Sequence, residues 1–176
     1  MFKGQTTIVI QASPEAIYKY LVDFRRHPEW AQNLSKVTLT SEEPIKVGTT
    51  FKTQEGPPPV KPGTKLKMML HFLSGVLSGA KPYSEARITA LEPNRRIAWE
   101  AWIPKSNQYF SFVEWEIIIE PQGTASRLTQ QFRYDPPDPG GKRMIGAAGV
   151  SGLESAMAVN LAHLKHHLEQ SNNHRS

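Results

Sequence analysis

The 176-residue sequence contains no cysteine, which excludes disulfides, thiolate nucleophiles, iron–sulfur clusters and cysteine-ligated zinc. No stretch approaches the roughly 20 apolar residues that span a bilayer. The first thirty residues also lack the basic, apolar and small-residue pattern of a secretory signal. We therefore expect a cytoplasmic protein whose fold is held together by burial alone.

Sequence motifs that bind phosphate or carry a serine nucleophile are absent as well, so we expect no cofactor. Three histidines, His163, His166 and His167, are spaced like metal ligands on a helix. They have no obvious carboxylate partner, and histidine suits the C-terminus of a helix. The sequence therefore predicts no metal site.

The formal charge of +5 is spread along the chain without a block of lysine or arginine. We interpret it mostly as a contribution to solubility and expect no nucleic-acid partner. The chain is long enough for one sizeable core and short for two. We expect one domain at residues 1–170, with an insertion at 56–82 and a flexible tail at 171–176.

The N-terminal part predicts one strand followed by two short helices. The strand covers Thr6–Ala12, and Ser13-Pro14-Glu15 then supplies an N-cap hydroxyl, a proline at the first helical position and an acid in the first turn. His27-Pro28 interrupts this helix before a second short turn that carries Trp30.

In the rest of the chain, apolar and polar residues alternate with a period of two, and the chain then ends in one long helix. Six strands are predicted, at Lys36–Thr40, Thr49–Gln54, Tyr83–Leu91, Arg96–Ile103, Tyr109–Glu120 and Ser126–Tyr134. Because no helix separates them, they predict a mostly antiparallel meander. The long helix covers Lys142–Gln170, and its apolar stripe consists of Leu153, Met157, Leu161, Leu164 and Leu168.

This order of elements resembles the START-like (SRPBCC) superfamily, which includes polyketide cyclase/dehydrase and lipid-transport proteins. The segments that carry the resemblance are Ala12-Ser13-Pro14-Glu15-Ala16-Ile17-Tyr18, Asp23 through Pro28-Glu29-Trp30, Val47-Gly48-Thr49, Gly123-Thr124 and Leu161–Glu169. The resemblance implies an α+β helix-grip fold, in which a curved seven-stranded antiparallel sheet wraps around a long C-terminal helix and leaves an internal cavity. It implies no particular activity, because the superfamily has many.

Charge identifies the two faces of the predicted strands, because side chains alternate across a strand. Glu114, Glu116 and Glu120 share one parity, so the opposite parity should face inward. The inward set is rich in aromatic rings and includes Ala86, Ile88 and Ala90. We expect the ligand-binding residues to be Trp99, Trp115, Gln130, Phe132, Tyr134 and Met157. Each ring taken alone would more often simply fill a core.

Gln130 gives the most specific prediction among these residues, because its amide needs hydrogen-bond partners. A buried amide costs on the order of 1–3 kcal/mol if it is left unpaired, so a ligand, a water molecule or another side chain has to satisfy it. Glycine and alanine at Gly146–Gly152 would in addition leave room between the helix and the sheet. These small residues allow a pocket mouth, with close packing or local bending as the alternatives.

The insertion 56–82 carries the apolar run Met68-Met69-Leu70-His71-Phe72-Leu73. Our first interpretation is a lid over the cavity, hinged at Gly75 and Gly79. A strand pair packed on the body is one alternative. Another is an apolar surface that docks on a membrane or a protein, with lysines facing anionic headgroups.

Three functions remain open at this stage. The first is a non-catalytic carrier of a small hydrophobic ligand, such as a lipid, polyketide or aromatic metabolite. The second is a cyclase- or dehydratase-like enzyme in which Tyr134, Gln130 or His71 orients a substrate carbonyl, with Glu154 as a further acid–base candidate. The third is an interaction module that uses residues 56–82. No catalytic residue is assigned, and the oligomeric state is left open.

Overall fold

The structure, a computed structural model, describes residues 1–55, 83–102, 104, 113–134 and 150–173. Several predicted features lie outside these residues: the insertion 56–82 with His71, positions 109–112 of a strand, positions 142–149 of the long helix, and the last tail residues, 174–176.

Seven antiparallel strands form one sheet in the order β1-β7-β6-β5-β4-β3-β2. Their bounds are β1 Phe2–Ile10, β2 Leu34–Leu39, β3 Thr50–Glu55, β4 Tyr83–Glu92, β5 Arg96–Trp102, β6 Val113–Gln122 and β7 Ala125–Tyr134. Strands β2 to β7 form a meander, and β1 pairs with β7 along its whole length. With the long terminal helix described below, this arrangement confirms the predicted α+β helix-grip fold.

Strand β1 begins earlier than the sequence predicts, at Phe2 instead of Thr6, and it ends at Ile10 instead of Ala12. Its pairing with β7 runs from Phe2 opposite Tyr134 to Ile10 opposite Ser126. The polar start of the strand hides this extension in the sequence. The long partner strand supplies the hydrogen bonds that hold those residues in a strand.

The two short helices follow β1 as predicted. Helix α1 covers Pro14–Leu21, and the Ser13 hydroxyl caps it by accepting a 3.2 Å hydrogen bond from the Ala16 N–H. A 3₁₀-helix covers Phe24–Glu29 and contains Pro28. A proline near its end is tolerated because so short a helix needs few of the backbone bonds that proline removes.

A β-bulge corrects one inward assignment. Ile88 pairs with Trp99, but the register then shifts, so that Ala90 pairs with Ala98 and Leu91 with Ile97. Ala86 and Ile88 are buried as expected, whereas Leu91 takes the place expected of Ala90 and packs against the core. The extra residue of a bulge reverses the alternation beyond it, and strict period-two reasoning misses this.

Helix α2 covers Val150–Asn173 and so continues past the predicted end at Gln170. Its predicted stripe faces the sheet, since Met157, Leu161, Leu164 and Leu168 are buried and Leu153 packs on the same side. The core therefore lies between α2, the two short helices and the inner face of the sheet. Within the described part of the chain, no helix is long and apolar enough to cross a membrane.

Candidate ligand-binding site

A row of aromatic rings crosses the inner face of the sheet. Trp99 on β5 lies directly opposite Trp115 on β6, which in turn lies opposite Phe132 on β7. The two indole rings are stacked with centroids 6.4 Å apart and planes 17° apart, and Trp115 is 5.8 Å from Phe132. Direct cross-strand pairing thus places three predicted site residues side by side.

Helix α2 completes one end of this row. Phe132, Tyr134 and Met157 form a buried cluster against which Trp115 packs. Four of the six predicted site residues therefore meet, with Met157 brought in from a distant part of the sequence. Trp99 belongs to the larger neighbouring core cluster and is connected to this group through its stack on Trp115.

Gln130 is the sixth predicted residue, and its side chain is buried, with 5% of the residue exposed. Within the described residues, its Oε1 atom has no hydrogen-bond partner. Thr6 on β1 and Ile117 on β6 are its direct cross-strand neighbours. A polar atom left unpaired inside a core is costly, so this amide oxygen calls for a partner.

His27 extends the aromatic row and was not among the predicted site residues. It is buried, with its ring centroid 4.4 Å from Phe24, 5.2 Å from Trp30 and 5.7 Å from Trp99. Burial lowers the pKa of His27 to about 4. Its Nε2 lies 2.9 Å from the Leu21 carbonyl oxygen, which can only accept, so Nε2 carries the proton.

A sequence signal for His27 did exist. Phe24, His27 and Trp30 are spaced three residues apart, and a 3₁₀-helix has three residues per turn, so they share one face. The sequence pattern at His27-Pro28 predicts only an interruption of a helix. A period-three search across this proline would have placed the imidazole among the inward rings.

Two strand acids, Glu114 and Glu116, lie on the outer face of the sheet in ion pairs with arginines. Glu114 is 2.8 Å from Arg133, and Glu116 accepts hydrogen bonds from both Arg96 and Gln131. Burial would raise the pKa of Glu116, but the bonds from Arg96 and Gln131 outweigh it and the pKa is lowered. A groove of about 260 Å³ lies among these charged side chains, and its lining also includes Trp99, Trp115 and Phe132.

Glu154, the acid–base candidate on α2, lies at the edge of the sheet. Its Oε1 accepts a 3.0 Å hydrogen bond from the backbone N–H of Gln5. The exposed His163 lies 2.7 Å, through Nε2, from the Gln32 side-chain amide. No group of three or more histidine, aspartate or glutamate side chains that could hold a metal occurs among the residues that the structure describes.

A curved antiparallel sheet that packs its aromatic face on a long terminal helix is the arrangement of a START-like protein. A sequence profile of the family described as polyketide cyclase / dehydrase and lipid transport matches residues 1–169, and the chain belongs to that family. Ligand-binding and polyketide cyclase-type functions both occur in it. No curated protein sequence matches this chain.

Solved structures agree with this fold at low sequence identity. The di-domain ARO/CYC BexL of the BE-7585A biosynthetic pathway is 16% identical with a TM-score of 0.65, covering 98% of this chain and 48% of BexL. The major latex-like protein 151 of Panax ginseng is 10% identical with a TM-score of 0.65, covering 94% of this chain and 96% of that protein. A hypothetical protein of Helicobacter pylori is 13% identical with a TM-score of 0.68, covering 94% and 87%.

Proposed function

We propose that this protein binds a small hydrophobic ligand, such as a lipid, a polyketide or an aromatic metabolite, and carries it without chemical change. The ligand lies between the inner face of the sheet and helix α2. The residues that contact it are Trp99, Trp115, Gln130, Phe132, Tyr134 and Met157. The observation that carries the proposal is the aromatic row that faces α2 beside one buried amide whose oxygen has no described partner. Mostly apolar walls with few polar groups are typical of small-molecule sites.

Among the described residues, the positions of the ionisable groups favour a carrier over an enzyme. Glu114 and Glu116 face outward and are held by arginines. Glu154 is bonded to the sheet edge, and His27 is neutral with its one proton donated to a backbone carbonyl. General acid–base catalysis needs a group with a suitable pKa within reach of the substrate, and each of these groups is committed elsewhere.

Native mass spectrometry of the purified protein, followed by denaturing extraction, tests the carrier function. We expect a hydrophobic compound bound at one copy per chain, and we expect Trp115→Ala to reduce its occupancy. The matched control is Trp102→Ala, since Trp102 lies on the opposite parity of β5 from Trp99. A protein that is empty and that also binds no apolar probe in solution would contradict the proposal.

A second candidate is a cyclase- or dehydratase-like enzyme. The family description includes such activity, and the similar protein BexL is named as an ARO/CYC. Here the buried Tyr134 and Gln130 would orient a substrate carbonyl while the site enforces its conformation. Tyr134→Phe separates the two functions: an enzyme loses turnover of a poly-β-ketone substrate, whereas a carrier retains binding of its apolar ligand.

A further inference from the structure

We infer that the ligand carries a hydroxyl group and that the Gln130 side-chain amide recognises it. This inference rests on the proposed ligand-binding function and specifies the chemistry of the ligand. Gln130 is nine-tenths or more buried, and its Oε1 has no partner among the described residues. A ligand made only of carbon and hydrogen would leave that oxygen unpaired inside the core.

The residues beside Gln130 in the sheet do not supply the missing hydrogen bond. Thr6, opposite it on β1, donates its only hydroxyl proton to the Glu154 carbonyl oxygen of α2 at 3.0 Å. Ile117, opposite it on β6, is apolar. Both lateral neighbours are therefore unable to donate, so no described side chain beside Gln130 in the sheet supplies the partner.

The neighbouring glutamine shows how an equivalent amide is satisfied. Gln131 lies on the opposite face of β7, where its Nε2 donates to the Glu116 carboxylate. On the inner face a leucine or methionine would fill the same volume without a polar atom to satisfy. A glutamine at position 130 is thus favourable only if something in the site pairs with it.

A hydroxyl group is the ligand group that fits this amide best. The oxygen and nitrogen of a glutamine amide exchange places when the amide is flipped. A ligand ketone could pair only with the nitrogen, but a hydroxyl both donates and accepts, so it satisfies either orientation. A single buried water molecule is the rival partner, and it would give the site no preference between ligands.

The test compares 2-naphthol with 2-methylnaphthalene, which differ only by a hydroxyl in place of a methyl group. Their dissociation constants are measured by titration calorimetry for the wild type, for Gln130→Met and for the matched control Gln131→Met. We expect Gln130→Met to shift the ratio of the two constants by about tenfold or more toward 2-methylnaphthalene. Gln131→Met should leave that ratio within about twofold of the wild type.

A second measurement needs no variant to fold. In the wild type, the side-chain amide resonances of Gln130 should shift when 2-naphthol binds and stay in place when 2-methylnaphthalene binds. If both probes bind and neither the ratio nor the resonances respond, the hydroxyl inference is wrong while the proposed ligand binding stands. If the wild type binds neither probe and releases no hydrophobic compound on denaturing extraction, the proposed function fails and the inference fails with it. If it releases a compound without a hydroxyl group, only the inference fails.

Discussion

The carboxylate of Glu154 accepts a 3.0 Å hydrogen bond from the backbone N–H of Gln5, which ties the first described turn of helix α2 to the edge of the sheet. Strand β1 is an outer strand among the described strands, so its second row of backbone groups has no described strand to pair with. Glu169 accepts a 2.8 Å bond from the Gln11 N–H, and the Lys165 amine donates to the Val9 carbonyl at 3.0 Å. Side chains of one helix thus satisfy an edge that would otherwise be open to another chain.

Removal of the Glu154 carboxylate should therefore loosen the helix from the edge. We expect Glu154→Ala to lower the free energy of unfolding by about 1–2 kcal/mol, because it leaves the Gln5 N–H without its acceptor. Glu154→Gln should recover most of the loss, since its amide oxygen still accepts. Urea unfolding measures both, with the exposed Glu120→Ala as the control. Equal losses for Ala and Gln would show that the hydrogen bond contributes little.

Replacement of Gly4 and of Gly152 by alanine should change the stability of the protein in opposite directions. A Cβ atom on Gly4 would lie 2.8 Å from Phe132 Cε1 and 2.9 Å from both Glu154 Oε1 and Val150 Cγ1. Gly152 on α2 has nothing described within 4 Å of such an atom. We expect Gly4→Ala to destabilise the protein by about 1–3 kcal/mol through overpacking.

For Gly152→Ala we expect stabilisation by about 0.5–1 kcal/mol, because alanine is the better helix former. Thermal unfolding of the two variants beside the wild type gives both signs in one experiment. A neutral Gly4→Ala would mean that α2 shifts away from β1 without cost, and the close contact at Gly4 would then have no role in the packing.

The buried His27 should make stability depend on pH. Its pKa is about 4 in the folded protein, below the usual value of 6.5, because burial disfavours the imidazolium. Between these two values the unfolded chain binds a proton that the folded chain does not. Stability should therefore fall as the pH drops from about 6.5 to about 4, by about 2–3 kcal/mol in all.

His27→Gln retains a nitrogen donor for the Leu21 carbonyl but cannot titrate in this range. We expect its unfolding free energy to vary less between pH 6.5 and pH 4 than that of the wild type. The control is Ser155→Ala on the exposed side of α2, which removes no ionisable group and should keep the wild-type slope. Identical slopes for all three proteins would exclude His27 as the source.

Asn160 should be sensitive to replacement because it joins α2 to the loop before β2. Its Oδ1 accepts a 3.0 Å bond from the Gln32 N–H, and its Nδ2 donates to the Asn33 side chain at 3.2 Å. We expect Asn160→Leu to cost about 1–3 kcal/mol, because the Gln32 N–H and the Asn33 side chain then lose their partner on the buried Asn160. The control Ser155→Ala on the same helix should change stability by less than about 0.5 kcal/mol. Chemical denaturation distinguishes the two, and a neutral Asn160→Leu would contradict the predicted role.

Much of the fold could be predicted from local pattern. The alternation of Glu114, Trp115, Glu116 and Ile117 identifies both a strand and its buried side. The turn residues identify the ends of the strands, since Gly123 and Asn94 adopt the positive φ angles that hairpin turns require. For these reasons the order of the elements and the inward aromatic residues agree with the structure.

The errors and omissions have non-local causes. The bulge that reverses Ala90 depends on how β4 matches β5, and the start of β1 at Phe2 depends on the length of β7. His27 is the exception, because its three-residue spacing from Phe24 and Trp30 is a local signal of the buried face. The role of Glu154 depends on which strand α2 lies beside.

The sequence by itself determined which residues form strands and helices and which side of each is apolar, because those properties repeat with the period of the backbone. It also placed Gln130 on the inner face. Only the tertiary structure decided that Thr6 donates to Glu154 and so leaves the Gln130 amide oxygen without a described partner. Hydrogen bonds between distant segments depend on how whole elements pack, and no local pattern in the chain encodes that arrangement.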